Sequence, residues 1–438
     1  MNQRRILHVD ADAFFVQVAR QSDPEGAGRA RLLIVGGRPG SRGVVCSASY
    51  ECREYGVRSA MPIARALRLC PQAMCVPVPR RACSTASRAI AQVLGEFTPV
   101  LQASSIDEWY LDLGGTEALY RGEPLAETAR RIRDRVIEAT GLTVSIGGGT
   151  TRLVAKLAVE RAKPKPGTSA TGVYVVAPGE EAAFVATLAV GDLPMVGPRF
   201  QQRLADRGLR RVADVQALSC ETLQRMVGDR AGAWLYDRAR GIDSSPVATR
   251  DDAKQMSRED TFDRDLHDEA EIARELLRLS VRVASDLRRE ERTARTITVK
   301  LRDADFTTRS ARRTLEEPVR TDRVIYRVAS DLLARLRRSR RVGVRLLGVA
   351  LSHFDESVEL TATQFDLFGA PSPTSDQPHD APRDHALAAA VDRIRSRFGD
   401  AAIVPATLVA PEQSSVSARE SDRAHDGDAT HPRKRPPR

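Results

Sequence analysis

Two short stretches carry carboxylates where an apolar strand ordinarily has none. Ile6-Leu7-His8-Val9-Asp10-Ala11-Asp12-Ala13-Phe14-Phe15 is an apolar run interrupted by two acids. Ser104-Ser105-Ile106-Asp107-Glu108-Trp109-Tyr110-Leu111-Asp112-Leu113 holds an adjacent acidic pair. Acids are scarce in strands and costly to bury unpaired. Two such strands side by side pool three or four carboxylates, which a divalent cation must neutralise, and oxygen-only ligands suit Mg2+. The expected chemistry is metal-assisted phosphoryl transfer. Neighbouring residues of a regular strand face opposite ways, so Asp107 and Glu108 can share one site only if the backbone bends between them.

Composition narrows the class around that site. The chain has 438 residues, 42% hydrophobic and 29% charged, with a formal net charge of +10. This describes an ordinary globular protein of roughly three domains, with a polyanionic partner such as nucleic acid. An Arg-rich compositional bias would give the same charge. No apolar run reaches membrane-spanning length and no signal-peptide core stands at the N-terminus, so a cytoplasmic location without membrane contact is expected. The six cysteines form no CxxC pair and have no His at zinc spacing, and they read as buried thiols.

The elements that must position the acids follow from periodicity and turn residues. Short strands at Leu32 to Val35 and Gly43 to Ser47, with helices at Ala48 to Tyr55 and Met61 to Leu69, form a small basic block carrying Tyr50, Arg53, Arg58, Arg65 and Arg68. Helices at Thr85 to Phe97 and Leu125 to Ala139 flank the acidic strand. Thr143 to Ile146 is a strand, Gly147-Gly148-Gly149-Thr150 reads as a tight turn, and an N-capped helix follows from Arg152 to Arg161. This is an α+β sheet with helices on one face. From Asp192 the chain turns to short helices, and Leu193-Pro194-Met195-Val196-Gly197-Pro198 resembles a helix-hairpin-helix, whose helix N-terminus holds a DNA phosphate through amides near Gly197. Met195 stands where that motif usually has its first glycine, which weakens the contact; a plain helical turn is the alternative. After a polar linker, the order β-α-β-β-α-β from Glu259 to Leu351 is a split βαβ module. Lys300, Arg302 and Arg309 lie at polar positions of its strands, with Lys254 just ahead of it, as a sheet laid on a DNA backbone requires. Leu387, Val391, Ile394 and Phe398 stripe one more amphipathic helix.

Four ordered motifs carry a family resemblance. They are His8-Val9-Asp10-Ala11-Asp12-Ala13-Phe14-Phe15, Ser47 to Arg53 with Gly56-Val57-Arg58-Ser59-Ala60-Met61-Pro62, Ser105-Ile106-Asp107-Glu108, and Ala162-Lys163-Pro164. Together they resemble the Y-family translesion DNA polymerases of the bacterial DNA polymerase IV type, from about Ile6 to Phe368. The resemblance implies an α+β multidomain right hand. Its ferredoxin-like palm is at 1–20 and 76–168, small fingers at 21–75, a helix-hairpin-helix thumb at 169–242, a linker at 243–254 and a split βαβ little finger at 255–355. A clamp-binding region at 356–369 and a mostly disordered tail at 370–438, with a helix near 385–399, complete it.

Carried over residue by residue, the resemblance implies two Mg2+ ions held by Asp10, Asp107, Glu108 and the Ala11 carbonyl, with Asp12 in support. The dNTP would meet Phe14, Phe15, Ser47, Tyr50, Arg53 and Lys163, with Phe15 as the steric gate against a ribose 2'-hydroxyl. Val44, Cys46 and Ala60 would line the nascent base pair. Gln364, Phe365, Leu367 and Phe368 resemble a sliding-clamp-binding peptide. The implied activity is low-fidelity, template-directed DNA synthesis past lesions without proofreading, by a monomer acting on primer-template DNA. Two other classes compete: a catalytically silent, clamp-bound adaptor that kept the fold, and a helix-hairpin-helix nuclease using the same acids. Retention of Asp10, Asp107, Glu108 and Lys163 argues against the adaptor, and the nuclease leaves Tyr50, Arg53 and Lys163 unexplained. Trp109 departs from the small residue often found after the pair.

Overall fold

The acidic strands pair, and the rest of the N-terminal unit is arranged to hold them. The computed structural model describes residues 4–164, 170–249, 253–355 and 378–409. They divide into two units, 1–252 and 253–438.

In the first unit the strands and helices follow as β1 (Ile6–Ala11), α1 (Phe14–Ser22), β2 (Leu33–Gly36), β3 (Val45–Ala48), α2 (Tyr50–Glu54), α3 (Ile63–Leu69), β4 (Met74–Pro77) and α4 (Arg80–Gly95). Next come β5 (Leu101–Ala103), β6 (Glu108–Asp112), α5 (Leu125–Thr140), β7 (Val144–Gly149), α6 (Arg152–Ala162) and β8 (Val173–Val175). Five short helices close the unit: α7 (Glu181–Ala186), α8 (Pro198–Ala205), α9 (Val212–Gln216), α10 (Cys220–Val227) and α11 (Asp229–Ala239). The main sheet has the order β5-β6-β1-β7-β8. Its first four strands have ferredoxin-like order, and β8 joins β7 in parallel at the edge. A second sheet, β3-β2-β4, packs on α2 and α3 around Ile34, Val45, Ile63 and Cys70.

Two boundaries expected from sequence shift. The break at 75/76 falls inside β4, whose Val76 and Pro77 pair with Val35 and Gly36 of the small sheet. The break at 168/169 precedes β8, which extends the main sheet rather than the helical segment beyond it. Strands of three or four residues give too little alternation to be read from sequence.

The glycine run and the helix layer are also corrected. Gly147, Gly148 and Gly149 lie within β7, not in a turn, and α6 starts instead at Thr151, whose hydroxyl accepts from the Val154 amide. A Cβ on Gly147 would sit 2.2 Å from both the Ala155 carbonyl oxygen and the Val159 nitrogen. The glycines are therefore what lets α6 lie directly on the strand. Helices cover both faces of the sheet. Leu7, Val9, Trp109, Leu111 and Ile146 form a core with α4 and α5, whereas Ile6 and Tyr110 face Ala155 of α6 on the other side. Trp109 is 1% exposed and fills the face away from the acids.

The second unit runs β9 (Gln255–Leu266), α12 (Glu269–Arg289), β10 (Thr293–Asp303), β11 (Thr308–Val319), α13 (Asp322–Ser339), β12 (Val344–Asp355) and α14 (Pro382–Phe398). The order β11-β10-β12-β9 makes both βαβ units split, each flanking a strand from the other. Ile297, Val299 and Leu301 point into a core with α12 and α13. The intervening Thr298, Lys300 and Arg302 lie on the open face.

α14 docks through its polar side. Its apolar stripe faces outward, with Leu387 62% and Phe398 67% exposed. Carboxylates hold the segment instead. Asp392 accepts two hydrogen bonds from Arg288, Asp384 pairs with Arg323, and Asp380 accepts from the Arg320 and Thr321 amides at the start of α13. Of the six thiols, only Cys52, Cys70 and Cys83 are buried, and Cys46 is exposed.

Candidate active site

The bend required between the acidic neighbours is present. Residues 104–107 form the turn between β5 and β6, and β6 begins at Glu108. The Ser104 and Ser105 amides donate to the Glu108 carbonyl, and the Ala11 amide donates to the Asp107 carbonyl at 2.9 Å. Asp107 is thus the last residue of the bend, still bonded to β1 through its carbonyl, while Glu108 opens β6 opposite Asp10. Cross-strand partners share a face, so both point to the α6 side with His8 and Tyr110.

A cavity of about 180 Å³ opens at the end of β1. It is lined by Asp10, Ala11, Ala13, Phe14, Phe15, Cys46, Ser47, Tyr50, Arg53, Ser59, Asp107 and Lys163. Ten of these residues were singled out from sequence. Ala13 and Ser59 were not, since neither side chain has chemistry that marks it. Ala13 is the N-cap of α1, held at φ 43° with no side-chain cap, which leaves the first amides of that helix for a ligand. Arg53 lies 4.8 Å over the Tyr50 ring and donates to the Ala48 carbonyl. Val44 and Ala60 stand beyond this lining: Val44 is 44% exposed, and Ala60, at φ 65°, donates its amide to Val45.

Burial sets the electrostatics of the acids, against lysines paired with two of them. Burial, reinforced by the Glu108 and Asp107 carboxylates, pushes the Asp10 carboxyl up to about 6, although the Lys163 ammonium 2.9 Å away pulls it down. Lys163 is pushed down by burial but held above its ordinary range by Asp10 and Glu160. Asp12 is 4% exposed, accepts from the Ser145 hydroxyl at 2.7 Å, and is raised mainly by burial. Its role is to brace the end of β1. Glu108 accepts from Lys156 at 2.7 Å, and His8 Nε2 lies 3.5 Å away. His8, working against the burial of the carboxyl and joined by Lys156, holds Glu108 down to about 2. Sequence reasoning missed Lys156 and His8, because nothing local links them to Glu108.

The donor set fits a hard divalent cation, since it is all oxygen and the buried Asp10 carboxylate lacks sufficient countercharge. Among the described residues, no three His, Cys, Asp or Glu side chains converge as a metal cage. Lys163 and Lys156 each occupy one carboxylate instead. Protons compete with a cation for Asp10, and the sign follows from its raised pKa: the carboxylate form is lost as pH falls through about 6. Mn2+ affinity, read by calorimetry, is therefore expected to be flat above pH 7 and to fall roughly tenfold per pH unit below about 6. Equal affinity at pH 5 and 7.5 contradicts the assignment.

The expected DNA contacts separate. Gly197 caps α8, with Pro198 at its first turn and open space where a Cβ would stand. Met195 adopts φ 71°, the glycine-like conformation, and is 87% exposed, so the hairpin keeps its backbone despite the substitution. Lys254 is exposed at the start of the second unit and Arg302 lies on the open sheet face. Lys300 is on that face too, but its ammonium is held by both Glu259 oxygens.

Arg309 is a correction. It pairs across the ladder with Leu301, on the core side, and donates to both oxygens of Asp303, itself 0% exposed. It also donates to the Leu336 carbonyl and the Ser339 hydroxyl. A buried carboxylate claims this cation, so Arg309→Ala is expected to destabilise the unit by about 2–3 kcal/mol, less than complete unpairing because Arg340 still reaches Asp303. Urea unfolding measures it. DNA affinity should stay within about twofold; a large affinity loss at unchanged stability would restore the DNA role. Gln364, Phe365, Leu367 and Phe368 lie outside the described residues.

Comparison with known proteins now bears on this geometry. Residues 9–160 match the impB/mucB/samB family, 253–367 its C-terminal domain, and 191–243 the thumb domain of DNA polymerase-iota. A DNA polymerase IV of Dehalococcoides mccartyi (strain CBDB1) is 35% identical over 91% of this chain and 96% of its own length. That of Desulfatibacillum aliphaticivorans is 38% identical over 93% and 98%. The chain belongs to the Y-family DNA polymerases.

Among solved structures, a Y-family DNA polymerase chimera of Dbh and Dpo4 has a TM-score of 0.71 at 26% identity, covering 80% of this chain and 98% of the chimera. An insertion ternary complex of Dbh DNA polymerase gives 0.57 at 26% identity over the same shares. This Y-family member is a DNA-directed DNA polymerase of the DNA polymerase IV type. No helix among its described residues is long and apolar enough to cross a membrane.

Proposed function

We propose that this polymerase performs low-fidelity, template-directed synthesis past lesions by two-metal nucleotidyl transfer, without proofreading, as a monomer in the cytoplasm. The observation that carries the proposal is one cavity in which Asp10 and Asp107 meet Tyr50, Arg53, Lys163 and Phe15. Asp10, Asp107, Glu108 and the Ala11 carbonyl are the groups that would hold two Mg2+ ions. Bound there, the metals supply countercharge and lower the pKa of the primer 3'-hydroxyl. Tyr50, Arg53 and Lys163 bind the triphosphate from separate elements: a hydroxyl, a guanidinium and an ammonium on one polyanion. The amides at the start of α1 and Ser47 complete that cradle. Phe15 bounds the sugar, and Val44, Cys46 and Ala60 leave a small-side-chain roof over the nascent pair. Gly197, Lys254, Lys300 and Arg302 are proposed backbone contacts for the duplex, of which Lys300 must first leave Glu259.

The experiment is primer extension with purified protein, primed template, dNTPs and Mg2+. Extension supports the reading, and no extension with any divalent metal, at intact DNA binding, favours the silent adaptor. Clamp binding through Gln364, Phe365, Leu367 and Phe368 rests on the motif, a Gln to hydrogen-bond and Leu-Phe to fill an apolar pocket. Deleting 364–368 is expected to remove stimulation by a bacterial sliding clamp and leave basal extension within about twofold. Equal loss of both rejects the clamp role.

A further inference from the structure

Helix α6 delivers two ammonium groups to the catalytic face. Lys156 and Lys163 are seven residues apart, two helical turns, and so project from one side. Lys163 reaches Asp10 at 2.9 Å and Lys156 reaches Glu108 at 2.7 Å. The acids they meet are register partners on β1 and β6. The helix lies close enough for this because Gly147 presents no side chain beneath it. The two lysines do not share surroundings. Lys163 lines the nucleotide cavity, whereas Lys156 lines a separate cleft of about 220 Å³ with Tyr110, Arg152, Met195, Trp234 and Arg238.

We propose that Lys156 is a positioning residue for Glu108: its ammonium stands in for the divalent cation, holding the carboxylate in line with Asp10 until the cation displaces it. This rests on the metal reading above and adds a residue to it. Three observations on the Glu108 side support the role. The carboxylate has no backbone donor of its own, since β6 places its amide in the ladder. His8, the other group that keeps Glu108 ionised, acts from 3.5 Å with its Nε2 making no hydrogen bond. Lys156 is therefore the one close donor among the described residues. The Lys156 side chain is 35% exposed, so when the cation takes Glu108 the ammonium can move into the open cleft without being buried unpaired.

A cation and an ammonium that compete for one carboxylate make a specific prediction. Lys156→Met, which keeps the stem and removes the charge, should bind Mn2+ about 3–10-fold more tightly in the DNA-free enzyme, because a unit positive charge next to the site is gone. It should also turn over more slowly at saturating metal, because Glu108 is no longer held in line. Lys156→Arg keeps the charge and should restore parental Mn2+ affinity. Calorimetry with Mn2+ and steady-state primer extension are the two readouts, with thermal unfolding as the control. A merely structural lysine would lower the unfolding temperature and weaken metal binding together. Unchanged or weaker Mn2+ binding by Lys156→Met at parental unfolding temperature overturns the proposal, as does the same shift in Lys156→Arg. Glu108→Gln separates the two levels: if it leaves Mn2+ binding intact, the metal reading of Glu108 itself fails, whatever Lys156 does.

Discussion

Asp107→Ala should lower primer extension by about 10³-fold or more, with the apparent KM for dNTP changed far less. Asp107 sits in the bend before β6, and among the described residues its carboxylate accepts from the neighbouring Ser105 hydroxyl, which in turn accepts from the Asp107 amide. Removing it therefore touches no core contact, and the unfolding temperature should stay put. What is lost is one of the carboxylates facing the nucleotide cavity. If Asp107 helps hold the metals, charge neutralisation at the reacting phosphate goes with it, and this effect belongs to the transition state more than to ground-state binding. Single-turnover extension under excess enzyme measures it cleanly. Activity within about tenfold of the parent would remove Asp107 from the catalytic set.

Phe15→Ala should admit ribonucleotides, cutting the preference for dNTP over rNTP by roughly 10²-fold or more. The Phe15 ring is half-buried, packs edge-on against Phe14 at 5.5 Å, and lines the cavity beside Tyr50. Phe14, 2% exposed, is the member of the pair that builds the core. Truncating Phe15 therefore opens space in the cavity, at the cost of a partly buried contact with the core. Discrimination of this kind is steric: a rigid ring at the 2' position opposes one extra hydroxyl and asks nothing of the deoxy substrate. The ratio of kcat/KM for dCTP and CTP opposite template G is the measurement. A ratio that does not move would place Phe15 with Phe14 as packing.

Local chemistry was the legible part of this site. Carboxylates in apolar strands pointed to a cation, and the family resemblance pointed to a phosphate at Tyr50 and Arg53. The cavity at the end of β1 gathers these groups. The split order of the second unit was also visible, because long strands and helices repeat their periods often enough to be counted. The misreadings share one cause. Gly147–Gly149 looked like a turn because glycine is usually read for its dihedral freedom, whereas here it is used for its missing side chain. Arg309 looked like a DNA contact because sequence shows charge and not which side of a strand an acid such as Asp303 will claim.

The sequence by itself determined that three carboxylates stand on two apolar strands; the hydroxyl, guanidinium and lysine expected to meet a phosphate, and the aromatic beside them, follow from the resemblance to a family. Residue type and short spacing suffice for the carboxylates, because their demand for a cation is local. Only the tertiary structure decided which of these groups share a face, which cation neutralises which acid, and from which side each is approached. Lys156 and Glu108 are 48 residues apart. They meet because β1 pairs with β6, because the backbone turns before Glu108, and because a side-chain-free strand lets α6 lie against the sheet. Each of these conditions depends on packing between distant segments, and none of them leaves a periodic mark on the chain.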